Sequence, residues 1–392
     1  MGDKISESVK KLPSSGIRKF FDIVADRPDA ISLGVGEPDF VTPWSIRDAA
    51  IKSVQKGYTQ YTSNKGILQL REQIALYTEE TFGIKYDPAT DILVTVGASE
   101  AIDLAVRAIC EAGDEILVPE PSYVSYTPCI RLAGGVPVSV PTTLGAGFRI
   151  MPGALEAAIT PRTKALIFPY PNNPTGAIMS RRDIRAISDI IIGHDLVVIS
   201  DEIYAELTYS GRHVSIASLP GLKERTVYVS GFSKAFAMTG WRLGYVAADK
   251  PMVDAMTKIH QYTIMCAPTA SQYAALYALK SGRSDNFAAV KEMHESYDGR
   301  RKLMVNSFKS MGLECYEPKG AFYVFPSVKK LGLTGEEFAT RLLKEENVAV
   351  VPGGAFGGYG EYNVRCCYAT SMKNLIVALE RIDRLVKRIK AL

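Results

Sequence analysis

The chain has 392 residues, 47% of them apolar and 22% charged, with a formal net charge of +4 spread along its length. No apolar run is long enough to cross a bilayer, and no basic block or basic–aromatic interleaving marks a nucleic-acid binder, so neither membrane nor nucleic acid is expected as a partner. A chain this long exceeds one ordinary core, and two domains are expected.

The first ten residues mix charges of both signs without an apolar stretch, which reads as a cytoplasmic protein. The six cysteines are scattered with no C-x-x-C, so neither a zinc site nor a disulfide framework is indicated. Cys366 and Cys367 read as small hydrophobes facing opposite sides of a strand.

A short helix is expected over residues 17–25, then a strand from Ile31 that breaks at Gly34-Val-Gly36-Glu-Pro38. The two glycines do not make a dinucleotide fingerprint, because the third is missing and Pro38 stands where the helix should begin. They mark either a simple turn or a place where backbone approaches a ligand closely. Helical patterns over 46–55 and 67–81 flank a stretch around Tyr58 and Tyr61 that is a loop by composition.

From Asp91 to about Ala248, apolar runs at 92–96, 115–118, 136–140, 165–168, 196–200, 226–230 and 243–247 alternate with helical stretches. That alternation predicts an α/β unit around a mainly parallel sheet covered on both faces. Polar motifs gather at the expected strand ends, where open sheets of this kind hold ligands. Val96-Gly97-Ala98-Ser99-Glu100 opens a helix; Ser99 is the expected cap, and the small residues Gly97 and Ala98 leave N–H groups free to face an anion. Tyr123 and Tyr126 follow a strand and offer aromatic faces for packing or for a ring. Phe168-Pro-Tyr-Pro-Asn172-Asn173-Pro-Thr-Gly176 is a turn by composition. In Ser200-Asp201-Glu202-Ile-Tyr204 a carboxylate directly follows an apolar strand, where it either caps a helix or meets a ligand.

Lys234 lies among small and apolar residues, in Ser230-Gly-Phe-Ser233-Lys234-Ala-Phe-Ala-Met-Thr-Gly-Trp-Arg242-Leu-Gly244. Apolar surroundings and a nearby cation disfavour the ammonium form and free the amine to attack a carbonyl. Arg242 suits a phosphate. Lysine, hydroxyl and arginine together suggest an aldehyde cofactor that carries a phosphate. Beyond this come helices expected over 253–281 and 285–311. A small α+β portion follows, with Gly320-Ala-Phe322-Tyr323, a glycine-rich run at 353–360 read as a flexible substrate-side loop, and Val364-Arg365-Cys-Cys-Tyr-Ala; an amphipathic helix closes the chain.

The segment from Gly231 through Gly244 resembles the lysine signature of the class I pyridoxal-phosphate aminotransferases, and the other motifs stand in that family's order. The resemblance implies the α/β architecture of fold type I. A large cofactor domain at 46–284 would hold the mainly parallel sheet between helices, a small α+β domain would form from 1–45 and 285–392, and the protein would be a homodimer.

The same resemblance implies pyridoxal 5'-phosphate carried by Lys234, with Gly97, Ala98, Ser99, Ser233 and Arg242 at the phosphate together with Tyr61 from the neighbouring subunit. It implies Tyr123 stacked on the ring, Asp201 at the pyridinium nitrogen, and Asn173 and Tyr204 at the phenolic oxygen. Arg365, Asn173 and the Gly36 region would hold the substrate carboxylate. Acidic-substrate members have Trp where this chain has Tyr123. The implied reaction moves the amino group of an L-amino acid, aromatic, aspartate or similar, to a 2-oxo acid such as 2-oxoglutarate; a lyase or synthase of the same fold is the alternative. Tyr123, Tyr126, Phe322, Tyr323 and Phe356 are either an aromatic-tolerant pocket or packing.

Overall fold

The computed structural model describes residues 4–12 and 29–391; the helix expected over 17–25 lies outside them. After the short strand β1 (Ile31–Ser32), each of the apolar runs becomes a strand: β2 (Ile92–Thr95), β3 (Glu115–Glu120), β4 (Val136–Pro141), β5 (Thr163–Phe168), β6 (Val197–Asp201), β7 (Thr226–Gly231) and β8 (Gly244–Ala247). They form one seven-stranded sheet in the order β2-β8-β7-β6-β5-β3-β4. Pairing is parallel from β7 through to β4, and β8 runs antiparallel to both β2 and β7.

These strands are apolar at nearly every position because helices cover both faces. Alternate residues divide between two cores. Ile199, Val227, Val229 and Val246 pack with Leu104, Val106, Val253 and Met256, whereas Tyr228, Tyr245 and Ala247 pack on the other face with Leu70, Ile74, Ala275 and Leu279. The edge strand β4 is the exception, with only Val140 fully buried. The stretch expected as one helix over 253–281 is two, Lys250–Thr263 and Thr269–Ser284. Pro268 lacks the N–H a continuing helix needs, and Met265 has turned into the left-handed region at φ 70°.

The remaining strands are β9 (Tyr323–Val324), β10 (Val348–Ala349), β11 (Val351–Pro352) and β12 (Val364–Cys367). β11, β12 and β9 form an antiparallel sheet, and β1 pairs in parallel with β10, joining residues from near opposite ends of the chain. Against this layer pack the helices Ala288–Ser310, Gly335–Glu346 and Met372–Lys390 through Tyr297, Phe308, Phe338, Leu342, Leu375 and Ile382. The last helix is amphipathic as expected: Ser371 caps it, Leu375, Leu379, Ile382 and Leu385 are buried, and Arg384 and Arg388 on its outer side reach Glu346. Among the described residues no helix is long and apolar enough to cross a membrane.

Because β3, β5, β6 and β7 run parallel, their carboxyl ends, Glu120, Phe168, Asp201 and Gly231, share one edge of the sheet. Each feeds directly into a loop carrying an expected site residue.

Candidate active site

A cleft of about 720 Å³ opens at that edge, lined by Lys234, Asp201, Arg242, Tyr123 and Asn173 from the seven-stranded layer and by Arg365 and Tyr323 from the smaller sheet. Lys234 follows the end of β7, and its amine donates to the carbonyl of Gly36 at 2.7 Å. The rings of Tyr204 and Phe322 stand 5.7 and 5.6 Å from it. Burial on this apolar floor lowers the lysine pKa to about 8; Cys367 and Glu37 oppose the shift, while Arg365 and Arg242 add to it. A usable fraction of free amine therefore exists near neutral pH.

Asp201 is buried at the end of β6. The Tyr126 hydroxyl donates to one carboxylate oxygen at 2.7 Å, and the Ile203 N–H donates to the other at 3.3 Å. Burial raises the carboxyl pKa, and these two hydrogen bonds oppose the rise. Asp201 thus braces a turn rather than capping a helix.

One wall of the cleft gathers a helix start, two hydroxyls and a guanidinium. The helix Gly97–Ile109 begins with Gly97 at φ 79°, and Ala98, Ser99, Ser233 and Arg242 line the cleft beside it. The expectation that Ser99 caps this helix is wrong: Val96 occupies the cap position, and Ser99 lies inside the first turn without a capping hydrogen bond. The Glu100 side chain takes the Val96 N–H instead, and His260 Nδ1 holds its other oxygen at 2.8 Å. Ser99 is thereby left free to face the cleft. A Cβ on Gly97 would stand 2.6 Å from Arg242 Nη2, so glycine is required for the guanidinium to lie over the helix start. Gly97→Ala is expected to displace Arg242 and weaken binding of an anion at this wall by about tenfold, as one charge-assisted hydrogen bond is lost; titration of the protein with inorganic phosphate, followed by intrinsic fluorescence, measures it.

Arg365 on β12 donates to Asn173 Oδ1 at 2.9 Å and to the Gly34 carbonyl. Its guanidinium lies between the Tyr323 and Phe356 rings, 4.5 and 4.9 Å from their centres. Its Nε is buried and, among the described residues, without a partner. Neighbouring Asn172 is structural, accepting from the Thr175 N–H and hydroxyl to shape the turn that presents Asn173. Gly36 lines the cleft, and a Cβ there would stand 2.5 Å from the Tyr323 hydroxyl. That hydroxyl pairs with Tyr204 at 2.8 Å, and burial together with Tyr323 pushes the Tyr204 pKa well up, so Tyr204 acts as a neutral hydrogen-bonding group.

Tyr61 is 80% exposed and does not line the cleft of its own chain. The run at 353–360, expected to be a flexible loop, is held instead. It forms the 3-10 turns Gly353–Phe356 and Gly358–Gly360, with the Gly353 N–H bonded to the Asn363 carbonyl at 2.7 Å and Phe356 buried. Its glycines serve close backbone packing rather than freedom of movement. Tyr126, Tyr323 and Phe356 are the residues whose specific roles sequence reasoning missed: each touches a charged group of the site, whereas composition suggested only an aromatic surface.

Residues 28–382 match the family described as aminotransferase class I and II. The chain belongs to that family. This aminotransferase is 51% identical to the putative aminotransferase YugH of Bacillus subtilis, over 99% of its own length and 100% of the relative's. It is 46% identical to an aspartate aminotransferase of Pyrococcus abyssi, over 98% of this chain and 99% of that one. The solved aromatic aminotransferase of Pyrococcus horikoshii matches it at a TM-score of 0.91 and 47% identity, covering 96% of this chain and all of that one. The α/β layer with its smaller α+β partner is thus the fold type I arrangement that the lysine motif implied.

Proposed function

We propose that this aminotransferase binds pyridoxal 5'-phosphate through Lys234 and moves the amino group of an L-amino acid to a 2-oxo acid, with 2-oxoglutarate as acceptor, in alternating half-reactions. The observation that carries this reading is the cleft itself: an amine of lowered basicity, a buried carboxylate and two guanidiniums line one space.

The residues fit the cofactor. The helix start at Gly97, Ala98 and Ser99, with Ser233 and Arg242, offers hydrogen-bond donors and positive charge to a phosphate. Tyr123 offers a ring face, Asp201 a carboxylate for a ring nitrogen, and Asn173 and Tyr204 polar groups for a phenolic oxygen. When bound, the cofactor supplies an electron sink for the charge that develops at the substrate α-carbon.

The chain supplies the rest. Arg365, held by Asn173 and the Gly34 carbonyl, takes the substrate carboxylate with its guanidinium and so orients the α-hydrogen. The Lys234 amine takes that proton and returns it, a task suited to a group with a pKa of about 8. Asp201, steadied by Tyr126, holds a proton at the ring nitrogen. The aspartate and aromatic relatives define the donor class to test first.

A homodimer belongs to the same reading. Tyr262, Ile264 and Met265 are exposed beside the Tyr61 loop, which Asn64 ties to the Met265 carbonyl, and a second copy would cover them while receiving Tyr61. Tyr61→Phe is expected to weaken cofactor binding about tenfold through one lost hydrogen bond to a charged group, with the dimer mass in sedimentation unchanged. A division into a large domain at 46–284 and a small one from 1–45 and 285–392 belongs to the same reading; in its support, Leu33 shares a core with Leu375, whereas Ile46 and Leu279 share another with Leu70. The deciding experiment is a donor panel against 2-oxoglutarate with purified protein: glutamate should form with at least one aromatic or aspartate-type donor. No glutamate with any donor overturns the proposal.

A further inference from the structure

The candidate substrate arginine depends on a contact made outside the cleft. Glu120 is the last residue of β3, directly ahead of the loop that carries Tyr123. Its carboxylate accepts the Gly358 N–H at 3.3 Å, and two residues further on the Ser122 N–H donates to the Phe356 carbonyl at 2.9 Å. Gly357, between the two tethered residues, lies at φ 122°, and a Cβ there would be 2.6 Å from the Glu120 carboxylate. The chain therefore presses directly against the acid, and only glycine permits it. Phe356, the next residue back, is buried and forms one face of the ring pair that encloses the Arg365 guanidinium.

We propose that Glu120 is a positioning residue for the substrate carboxylate: it pins the 353–360 run to the Tyr123 loop and, through Phe356, fixes the Arg365 guanidinium where the carboxylate binds. The inference rests on Arg365 holding that carboxylate, as proposed above. An arginine held between two rings loses little rotamer freedom on binding, so a fixed guanidinium favours affinity and orientation. With the tether cut, Phe356 and Arg365 sample other positions in the free enzyme, and each binding event bears the cost of ordering them. Donor and acceptor both present a carboxylate to the same arginine, so both are affected alike.

The test uses holoenzyme and follows KM and kcat for the donor and for 2-oxoglutarate, alongside the cofactor dissociation constant. Glu120→Ala is expected to raise both KM values about five- to tenfold, the loss of one ordinary hydrogen bond, with kcat and cofactor affinity changed by less than about twofold. Glu120→Gln, which keeps an oxygen acceptor without the charge, should restore KM to within about twofold. Phe356→Leu leaves the Glu120 tether in place and should raise KM on its own; combined with Glu120→Ala the two effects should be clearly less than additive. Unchanged KM in Glu120→Ala, a rise that Gln does not rescue, or full additivity with Phe356→Leu overturns this inference while leaving an active wild type and the proposed function intact. A wild type without transamination overturns both.

Discussion

Lys234→Ala is expected to lower transamination by about four orders of magnitude or more, because on the proposed reading it removes both the covalent anchor for an aldehyde and the group that moves the α-proton. The fold should survive: among the described residues the amine makes one hydrogen bond, to the Gly36 carbonyl, and it lies at the floor of an open cleft rather than within a core. Borohydride treatment of wild-type holoenzyme should attach the cofactor to the peptide containing residue 234, by mass spectrometry, and leave the variant unlabelled. Substantial turnover by the variant would remove Lys234 as the proton carrier.

The same lysine has a second, oppositely signed signature in the cofactor-free protein. Its folded pKa of about 8 lies below the ordinary 10.5, so below pH 8 the amine is charged in both states and the folded state bears the full cost of burying it. As pH rises through 8 the folded-state amine deprotonates and that cost fades, until above 10.5 the unfolded amine is neutral as well. Lys234→Met should therefore have the higher melting temperature at pH 7, and its advantage should shrink between pH 8 and 10.5. A difference that is flat with pH would show the amine to be fully solvated.

The second large effect is expected from Asp201→Asn, with kcat lower by about a thousandfold, within the range of a lost acid–base function, while cofactor remains bound. Asparagine has nearly the same shape and can still accept from Tyr126, which now donates to Asp201 at 2.7 Å, so the turn should hold. It lacks the negative charge that, on the proposed reading, keeps a proton on a ring nitrogen. The spectrum of the bound cofactor and kcat should change together. Retained kcat would mean that Asp201 serves only the turn.

Much of this architecture was legible in residue order. The seven main-sheet strands were readable because apolar runs of strand length alternate with helical stretches, which only a sheet buried on both faces demands. Asp201, Asn173 and Lys234 stood out because each follows such a run, and parallel strands deliver their carboxyl ends to one edge. The amphipathic last helix was equally plain. Local choices between equivalent partners were harder. Ser99 seemed the natural cap until the Glu100 side chain, steadied by His260 from a helix far along the chain, took the Val96 N–H first. The glycine-rich run at 353–360 suggested freedom, since composition does not reveal that Asn363 and Glu120 hold it.

The sequence by itself determined the layered α/β arrangement, the order of its strands along the chain and the chemical types offered at their ends, because these depend on periodicity and on residues adjacent in the chain. Only the tertiary structure decided which groups brace them. Tyr126 meets Asp201, Tyr323 meets Tyr204, and Phe356 and Tyr323 enclose Arg365. Tyr126 and Asp201, and Tyr204 and Tyr323, come from segments far apart in the chain, and the Arg365 enclosure depends on how its own strand pairs and how the chain folds back after residue 352, a geometry that no local pattern of residues encodes.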